Sequence, residues 1–138
     1  MTSEAATPRY LPVLKGFTAE FYGWCRQHEL RFQRCAHCKA WQHPPRLLCN
    51  HCHSFETEWA PVSGAATLHA WTVAVAPMGP VFANDVPYVA AIVGLQEGPR
   101  MASWVTGVAP EDLKVDMRLQ VWFDDLTPEV TLAKFRPA

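Results

Sequence analysis

Hydrophobic residues in the second half of the chain alternate with small or polar residues, and this period of two predicts β-strands. The alternating runs cover residues 64–76, 88–95, 100–106, 119–124 and 130–136. Gln96-Glu97-Gly98-Pro99 is a hairpin-type turn between the second and third runs. Five short strands, of which the first is long enough to curve strongly, predict a small barrel of the OB type over residues 59–138, although an incomplete sandwich would show a similar pattern.

The N-terminal part of the chain follows a helical period instead. Phe17, Phe21 and Trp24 recur at i, i+4 and i+7, and Thr18 is placed to cap a helix that ends near Glu29. So large an aromatic face must be covered, either by the rest of this chain or by a partner subunit. The three aromatic residues are therefore candidates for docking a partner.

Four cysteines lie between the helix and the strands, in the pattern C-x2-C-x10-C-x2-C: Cys35, Cys38, Cys49 and Cys52. Two such pairs can place four thiolates tetrahedrally around one Zn²⁺, which is the arrangement of a zinc ribbon. A disulfide pair would be favoured only in an oxidising compartment, and four thiolates also suit iron, but zinc is the expectation. Since four protein ligands leave no open position, such a metal is structural and does not activate water.

Lys39 and His53 follow the second cysteine of each pair, at a position where glycine is common. If the backbone is left-handed there, each non-glycine residue costs roughly 1 kcal/mol. Zinc–thiolate binding at about 10–16 kcal/mol outweighs this cost. We therefore expect the metal site to form, with at most some distortion of the knuckles.

Composition and charge restrict the class of protein. Hydrophobic residues make up 49% of the 138 residues and charged residues 18%, and the net charge of −1 predicts no strong attraction to nucleic acid or to an anionic membrane. Residues 1–15 lack the apolar core of a secretory signal, and no run approaches the roughly 18–20 apolar residues of a membrane span. We expect a cytoplasmic protein that consists of a flexible arm (1–16), a helix with a zinc ribbon (17–58) and the barrel (59–138).

The small net charge hides an uneven distribution. Residues 26–55 hold five Lys and Arg side chains against one Glu, so this segment carries about +4 and the remainder about −5, as the net charge of −1 requires. A cationic ribbon can contact the phosphates of a nucleic acid or of a nucleotide cofactor, or it can simply be a solvated surface.

Several short motifs occur in a fixed order after the aromatic helix. They are Leu30-Arg31-Phe32-Gln33-Arg34-Cys35, Pro44-Pro45-Arg46, the second cysteine pair, Glu58-Trp59, Val62-Ser63-Gly64, Trp71-Thr72-Val73, Pro87-Tyr88 and Gly98-Pro99-Arg100. This ordered set resembles the zinc-ribbon/OB-fold proteins associated with acyl-CoA metabolism, over about residues 17–136. The expected fold is therefore mostly β: an N-terminal helix, a rubredoxin-like zinc ribbon and a five-stranded OB-type barrel.

The resemblance also implies a function. Members of this family accompany thiolase-superfamily enzymes (thiolases, acyltransferases or retro-aldolases) or hot-dog-fold hydratases in steroid and related β-oxidation-like pathways. They are non-catalytic subunits that help bind or pass acyl-CoA. In this chain Arg34, Arg46 and Arg100 are then candidates for contacting the CoA phosphates, and Phe82 and Trp104 for contacting the acyl chain.

Two other functions are less well supported. Zinc ribbons and OB barrels both bind single-stranded nucleic acid, but the acidic barrel half of this chain would repel a phosphate backbone. An independent enzyme would need an active site of its own. Cys25, the fifth cysteine, has no committed general base in the sequence, so we assign no catalytic residue.

Overall fold

The computed structural model describes residues 10–138, which form one helix, a three-stranded sheet and a closed barrel of five strands. The elements are α1 (Gly16–Arg26), β1 (Arg31–Cys35), β2 (Trp41–Gln42), β3 (Thr57–Pro61), β4 (Ala65–Ala74), β5 (Tyr88–Leu95), β6 (Arg100–Val105), β7 (Arg118–Asp125) and β8 (Thr131–Pro137). Single 3-10 turns lie at Pro80–Phe82 and Pro110–Asp112. Residues 1–9, most of the expected flexible arm, lie outside the described residues.

Helix α1 begins and ends earlier than its sequence pattern indicated. Its N-cap is Lys15, in extended conformation and without a side-chain cap, so Thr18 lies inside the first turn and the prediction that it caps the helix is wrong. The helix ends at Arg26 because His28, with φ of 59°, turns the backbone into the left-handed region. Within residues 10–138 no helix has the length and hydropathy to cross a membrane.

The ribbon sheet has the strand order β2-β1-β3 and is antiparallel throughout. Its central strand β1 buries Phe32 and Gln33 completely. Cys35 ends β1 directly opposite Thr57, the first residue of β3. This register brings the loop after β1 beside the loop that leads into β3, and these loops carry the two cysteine pairs.

The barrel closes in the order β4-β5-β6-β8-β7, with β7 returning to β4. All its pairs are antiparallel except β6 with β8, which run parallel where Val105 lies opposite Phe135. Leu68, Val93, Leu119 and Phe135 fill the interior and are at most 1% exposed. The predicted five-stranded barrel is confirmed, and closure excludes the incomplete sandwich.

A bulge in β4 changes which side chains face the interior. Leu68 and Ala70 pair with consecutive residues of β5, so His69 is the extra residue. Leu68 is buried before the bulge, whereas after it Trp71 packs against the core and Ala70 is exposed. Strict alternation along β4 would put Leu68 and Ala70 on one face, but the bulge moves the inward set of residues by one position.

The helix and the ribbon share a core with the barrel. Phe21, Leu30 and Phe32 belong to the same buried cluster as the barrel interior. At the surface, Nε2 of His28 lies 2.9 and 3.0 Å from the two carboxylate oxygens of Asp125 on β7. These contacts fix the helix and ribbon against one side of the barrel.

Candidate functional site

The four predicted metal ligands converge at one end of the ribbon sheet. Their Sγ atoms all lie within 4.8 Å of one another. The Sγ atoms of Cys35 and Cys52 are 3.5 Å apart, and those of Cys38 and Cys49 are 3.6 Å apart. Sulfurs at about 2.3 Å from a tetrahedral Zn²⁺ would be separated by about 3.8 Å. The arrangement therefore fits one tetrahedrally bound ion.

Each knuckle directs backbone N–H groups at its first cysteine. The amide of Cys38 donates to Sγ of Cys35, and the amide of His51 donates to Sγ of Cys49, each at 3.4 Å. Hydrogen bonds from the amides of Cys52 and His51 lower the pKa of Cys49 to about 6, and the Cys38 amide lowers the pKa of Cys35. At the first cysteine of each pair the amides thus favour the thiolate, which is the form that binds a metal ion.

The same cluster brings several negative charges together. The Ser54 amide lowers the pKa of Cys52, but burial and the three neighbouring cysteines outweigh it and raise that pKa to about 12. A divalent cation removes this repulsion, and four sulfur ligands with no oxygen or nitrogen are those of a structural zinc site. The expected structural zinc is therefore supported. It would hold the ribbon together and leave no position for a substrate.

The knuckle positions that lack glycine keep their geometry. Lys39 and His53 have φ of 65° and 63°, the left-handed conformation expected there. Their amides donate to the carbonyl oxygens of Cys35 and Cys49 at 3.0 and 2.9 Å. Lys39 and His53 therefore adopt the left-handed conformation in spite of its free-energy cost, and the four cysteine Sγ atoms still lie close together.

A cleft of about 470 Å³ lies where the helix, the ribbon and the barrel meet. Its walls come from the segment before α1, from α1, from the residues after β2, from the loop between β4 and β5, and from β6 and β8. Its lining includes Tyr10, Phe21, Tyr22, His43, Pro44, Pro45, Phe82, Met101, Ser103, Trp104, Leu132 and Lys134. Most of these side chains are aromatic or apolar, so the cleft suits an apolar group.

Phe82 and Trp104, the two predicted acyl contacts, lie together in one wall of the cleft. Their ring centroids are 6.4 Å apart, and Trp104 also stacks on Tyr88 at 4.3 Å. Tyr10 approaches Phe82 from the other side at 5.7 Å. The loop between β4 and β5 thus contributes Phe82 to an aromatic wall that also contains Trp104 of β6.

The ionisable groups that line the cleft add no free charge. Nζ of Lys134 donates to a carboxylate oxygen of Asp124 at 2.6 Å and lies 5.0 Å from the ring centroid of Trp104. Burial lowers the pKa of His43 to about 4, so its imidazole is neutral at pH 7. A charged ligand group would therefore find no unpaired cation among the described lining residues.

The three arginines proposed for CoA phosphates do not line the cleft. Arg34 is held on the ribbon by Glu58, with Nε 2.6 Å from a carboxylate oxygen. Arg46 is half-buried beside the cleft residue Pro45, and Arg100 is exposed at the start of β6. The structure thus separates the cationic candidates from the aromatic ones.

The aromatic face of α1 is covered mostly by this chain. Phe21 is only 8% exposed and packs on Phe32 and His43. Trp24 is half-buried beneath Arg31, whose guanidinium carbon is 4.1 Å from the centroid of the indole ring. Of the three predicted docking residues, Phe17 and Trp24 therefore retain exposed surface, whereas Phe21 has very little.

Sequence reasoning missed most of the lining residues, among them Tyr22, His43 and Lys134. For His43, the sequence feature that could have indicated a fixed position was the Pro44-Pro45 pair, which follows it and stiffens the loop. Lys134 lies opposite Trp122 in the β7–β8 register. That position became informative only once the two strands were known to pair.

Cys25 is a buried thiol, and we expect it to be inert to alkylation in the native protein. It is 0% exposed, and burial raises its pKa to about 12, so thiolate is absent at pH 8. Treatment of the native zinc-loaded protein with iodoacetamide should leave Cys25 unmodified by peptide mass spectrometry, whereas denaturation with a chelator should expose all five cysteines. A Cys25→Ala variant, with four adducts after denaturation, is the control. Rapid native labelling at Cys25 would contradict its burial.

Comparison with known proteins agrees with this architecture. The model of the rubredoxin-like zinc ribbon domain of ChsH2 matches residues 25–58, and that of its C-terminal OB-fold domain matches residues 59–124. A solved structure of an Ltp2–ChsH2(DUF35) aldolase superposes with a TM-score of 0.85 and 35% identity, covering 92% of this chain and 98% of that chain. The chain belongs to the ChsH2 (DUF35) family.

Curated relatives place the family among acyl-CoA enzymes and scaffold proteins. A probable enoyl-CoA hydratase alpha subunit of Thermomonospora curvata is 36% identical over 98% of this chain but only 41% of its own length. A DUF35 domain-containing scaffold protein of Methanocaldococcus jannaschii is 33% identical over 65% of this chain and 64% of its own length. The chain thus spans about two fifths of the hydratase subunit and less than two thirds of the scaffold protein.

Proposed function

We propose that this chain is a non-catalytic accessory subunit of an acyl-CoA enzyme. It docks onto a thiolase-superfamily enzyme (a thiolase, an acyltransferase or a retro-aldolase) or onto a hot-dog-fold hydratase, and it helps bind or channel the acyl-CoA. Two relatives support such an assembly: the Thermomonospora protein, named as a hydratase subunit, and the solved Ltp2–ChsH2(DUF35) aldolase. The scaffold relative supports a role without catalysis.

The observation that carries the proposal is an apolar cleft without reactive groups. Ser103 and His43 both line it, but the Ser103 hydroxyl donates to the carbonyl oxygen of Ala133 at 2.6 Å, so it is not activated by the imidazole. Lys134 is engaged by Asp124. A cleft of this kind can hold an acyl group while a partner supplies the chemistry.

The charge distribution separates two parts of an acyl-CoA ligand. The aromatic cleft, whose lining lysine is already paired with Asp124, suits the acyl group, whereas the phosphates of CoA require cations outside it. Arg46, next to Pro45 of the cleft, and exposed Arg100 are the candidates for that contact. Arg34 is a weaker candidate because its ion pair with Glu58 would have to be given up.

The proposal is tested by capturing the tagged chain from its native cells and identifying partners by mass spectrometry. We expect to recover a thiolase-like or hydratase subunit in stoichiometric amount. We also expect the purified complex to convert an acyl-CoA substrate. Neither the purified chain alone nor the capture beads after a high-salt wash should convert that substrate. Turnover by the single purified chain would contradict the non-catalytic role. Recovery of nucleic acid that high salt removes would favour the alternative of a single-strand binder.

Replacement of Trp104 by alanine is expected to weaken acyl-CoA binding selectively. The indole forms one wall of the cleft with Phe82, so we predict that the affinity of the complex for a long-chain acyl-CoA falls about tenfold, while its affinity for free CoA changes little. Isothermal titration calorimetry of the complex with both ligands measures this difference.

Two further variants control the Trp104 experiment. Trp104→Phe keeps an aromatic wall and should retain most of the affinity, which distinguishes a lost contact from misfolding. Phe55→Ala removes a 66% exposed aromatic side chain that does not line the cleft and should have no effect. An equal loss for acyl-CoA and free CoA on Trp104→Ala would place the acyl group elsewhere.

A further inference from the structure

We infer that the outer surface of β4, β5 and β6 is the face on which the catalytic subunit docks; this inference rests on the accessory role proposed above. The docking face is defined by six residues in two rows across the three strands: Ala70, Ile92 and Ala102 in one row, and Thr72, Ala90 and Trp104 in the other. Together they border a shallow groove of about 530 Å³. The bulge at His69 is what turns Ala70 and Thr72 of β4 outward into this surface.

The rest of the barrel shows what a water-exposed outer surface looks like in this chain. Five of the seven outward positions of β7 and β8 are polar or charged, although Leu132 and Lys134 among the seven line the cleft. The seven positions are Arg118, Gln120, Trp122, Asp124, Leu132, Lys134 and Arg136. On the docking face, by contrast, Thr72 is the only polar residue, and charge begins at its edge with Arg100. Antiparallel strands that face water normally alternate apolar and polar residues, so this departure on three adjacent strands makes the face a candidate contact surface.

The chemistry of the face selects a protein as its occupant. Nucleic acid and the phosphates of CoA need cations, and none of the six residues is charged. From a strand spacing of about 4.8 Å and a two-residue repeat of about 7 Å, the face covers roughly 200 Å². A stable interface takes roughly 800 Å² from each partner. Two copies of this chain that met on the face alone would bury too little, so the occupant must extend beyond it.

The surface next to the docking face indicates that the occupant is the catalytic subunit. Ala102, Ser103 and Trp104 line both the groove and the cleft, so the docking face runs directly into the cleft mouth. Tyr10, at the cleft, is 74% exposed. A protein seated on the face and continuing over this rim would meet an acyl group as it leaves the cleft. That is the position an acyl-CoA enzyme must occupy to receive it.

The inference is tested by placing charge on the face. Ala102 is exposed, so Ala102→Arg and Ala102→Glu should fold as the wild type does, with equal thermal midpoint and zinc content. Because an apolar interface would bury the new charge without a partner, we expect either variant to bind the catalytic subunit at least about 100-fold more weakly. The probe is the acyl-CoA enzyme subunit recovered with the tagged wild-type chain, purified and titrated by calorimetry.

The control and the contrary outcomes are distinct. Val115→Arg places the same charge at a 65% exposed apolar position off the face and should bind like the wild type. If the wild type and both Ala102 variants bind the enzyme within twofold of one another, the face is overturned while the accessory role stands. If the wild type recovers no acyl-CoA enzyme, the accessory role itself fails. A wild-type dimer in sedimentation velocity that Ala102→Arg dissociates would instead assign the face to self-association.

Discussion

Replacing Cys49 with alanine is expected to abolish zinc binding and the folded ribbon. Cys49 is fully buried, and its Sγ is 3.6 Å from that of Cys38, so its loss leaves three thiolates and a gap in the tetrahedron. Structural zinc contributes about 10–16 kcal/mol in small zinc modules. Domains are stable by only about 5–15 kcal/mol in total, so no other interaction in the ribbon can replace it.

The loss should reach beyond the ribbon. Phe32 and Leu30 belong to the same buried cluster as the barrel interior, so an unfolded ribbon exposes barrel residues as well. We therefore expect Cys49→Ala to bind less than a tenth of the wild-type zinc by atomic absorption and to lose its cooperative thermal transition in circular dichroism. The same loss should follow when the wild type is treated with a strong chelator.

The matched control is Cys25→Ala, which removes a buried cysteine outside the metal cluster. It should keep one zinc per chain and a cooperative transition that is lowered only by the small cavity left behind. A Cys49→Ala protein that retained one zinc per chain, with a midpoint within a few degrees of the wild type, would show that the four thiolates are not the ligand set. A red, iron-containing wild type would identify a rubredoxin-like metal instead of zinc.

Local signals in the sequence were sufficient for the metal site and the strands. Cysteine spacing predicts the tetrahedral cluster because each pair is closed by its own knuckle, within four residues. The left-handed backbone at Lys39 and His53 follows from the same local geometry. The period of two places each of the five barrel strands, because burial of one strand face is recorded in the order of its own residues.

Features that depend on contacts between distant segments could not be read in this way. The bulge at His69 has no marker in the sequence, yet it decides which residues of β4 reach the outer surface. Arg34 looked available for a phosphate until the β1–β3 register placed Glu58 opposite it. The cleft itself joins segments from along the whole described chain, and its boundary depends on how they pack together. The sequence predicted Phe82 and Trp104 as contacts for an acyl chain. It did not predict that Lys134 lines the same cleft, paired with Asp124.

Gly64 lies in the link between the ribbon and the barrel. We expect Gly64→Ala to lower the free energy of unfolding by about 2–4 kcal/mol. Gly64 is buried between β3 and β4 with φ of 82°, and its carbonyl oxygen accepts a hydrogen bond from the amide of Val121 at 2.9 Å. A Cβ at this position would overlap Cγ1 of Val121 and lie 3.0 Å from Nε2 of Gln120. The backbone strain of alanine at a positive φ and the steric overlap of its Cβ with Val121 therefore both lower the stability of the variant. We expect the thermal midpoint to fall by about 10 °C.

Two variants separate the strain from the overlap. Gly107 has φ of 74°, but a Cβ there would meet nothing closer than 3.7 Å, so Gly107→Ala carries the conformational cost alone, about 1 kcal/mol. The double variant Gly64→Ala with Val121→Ala removes the overlapping methyl group and should be less destabilised than the sum of its single variants. Equal midpoints for Gly64→Ala and Gly107→Ala would show that Val121 moves aside freely. The close contact between Gly64 and Val121 would then make no measurable contribution to the stability of the protein.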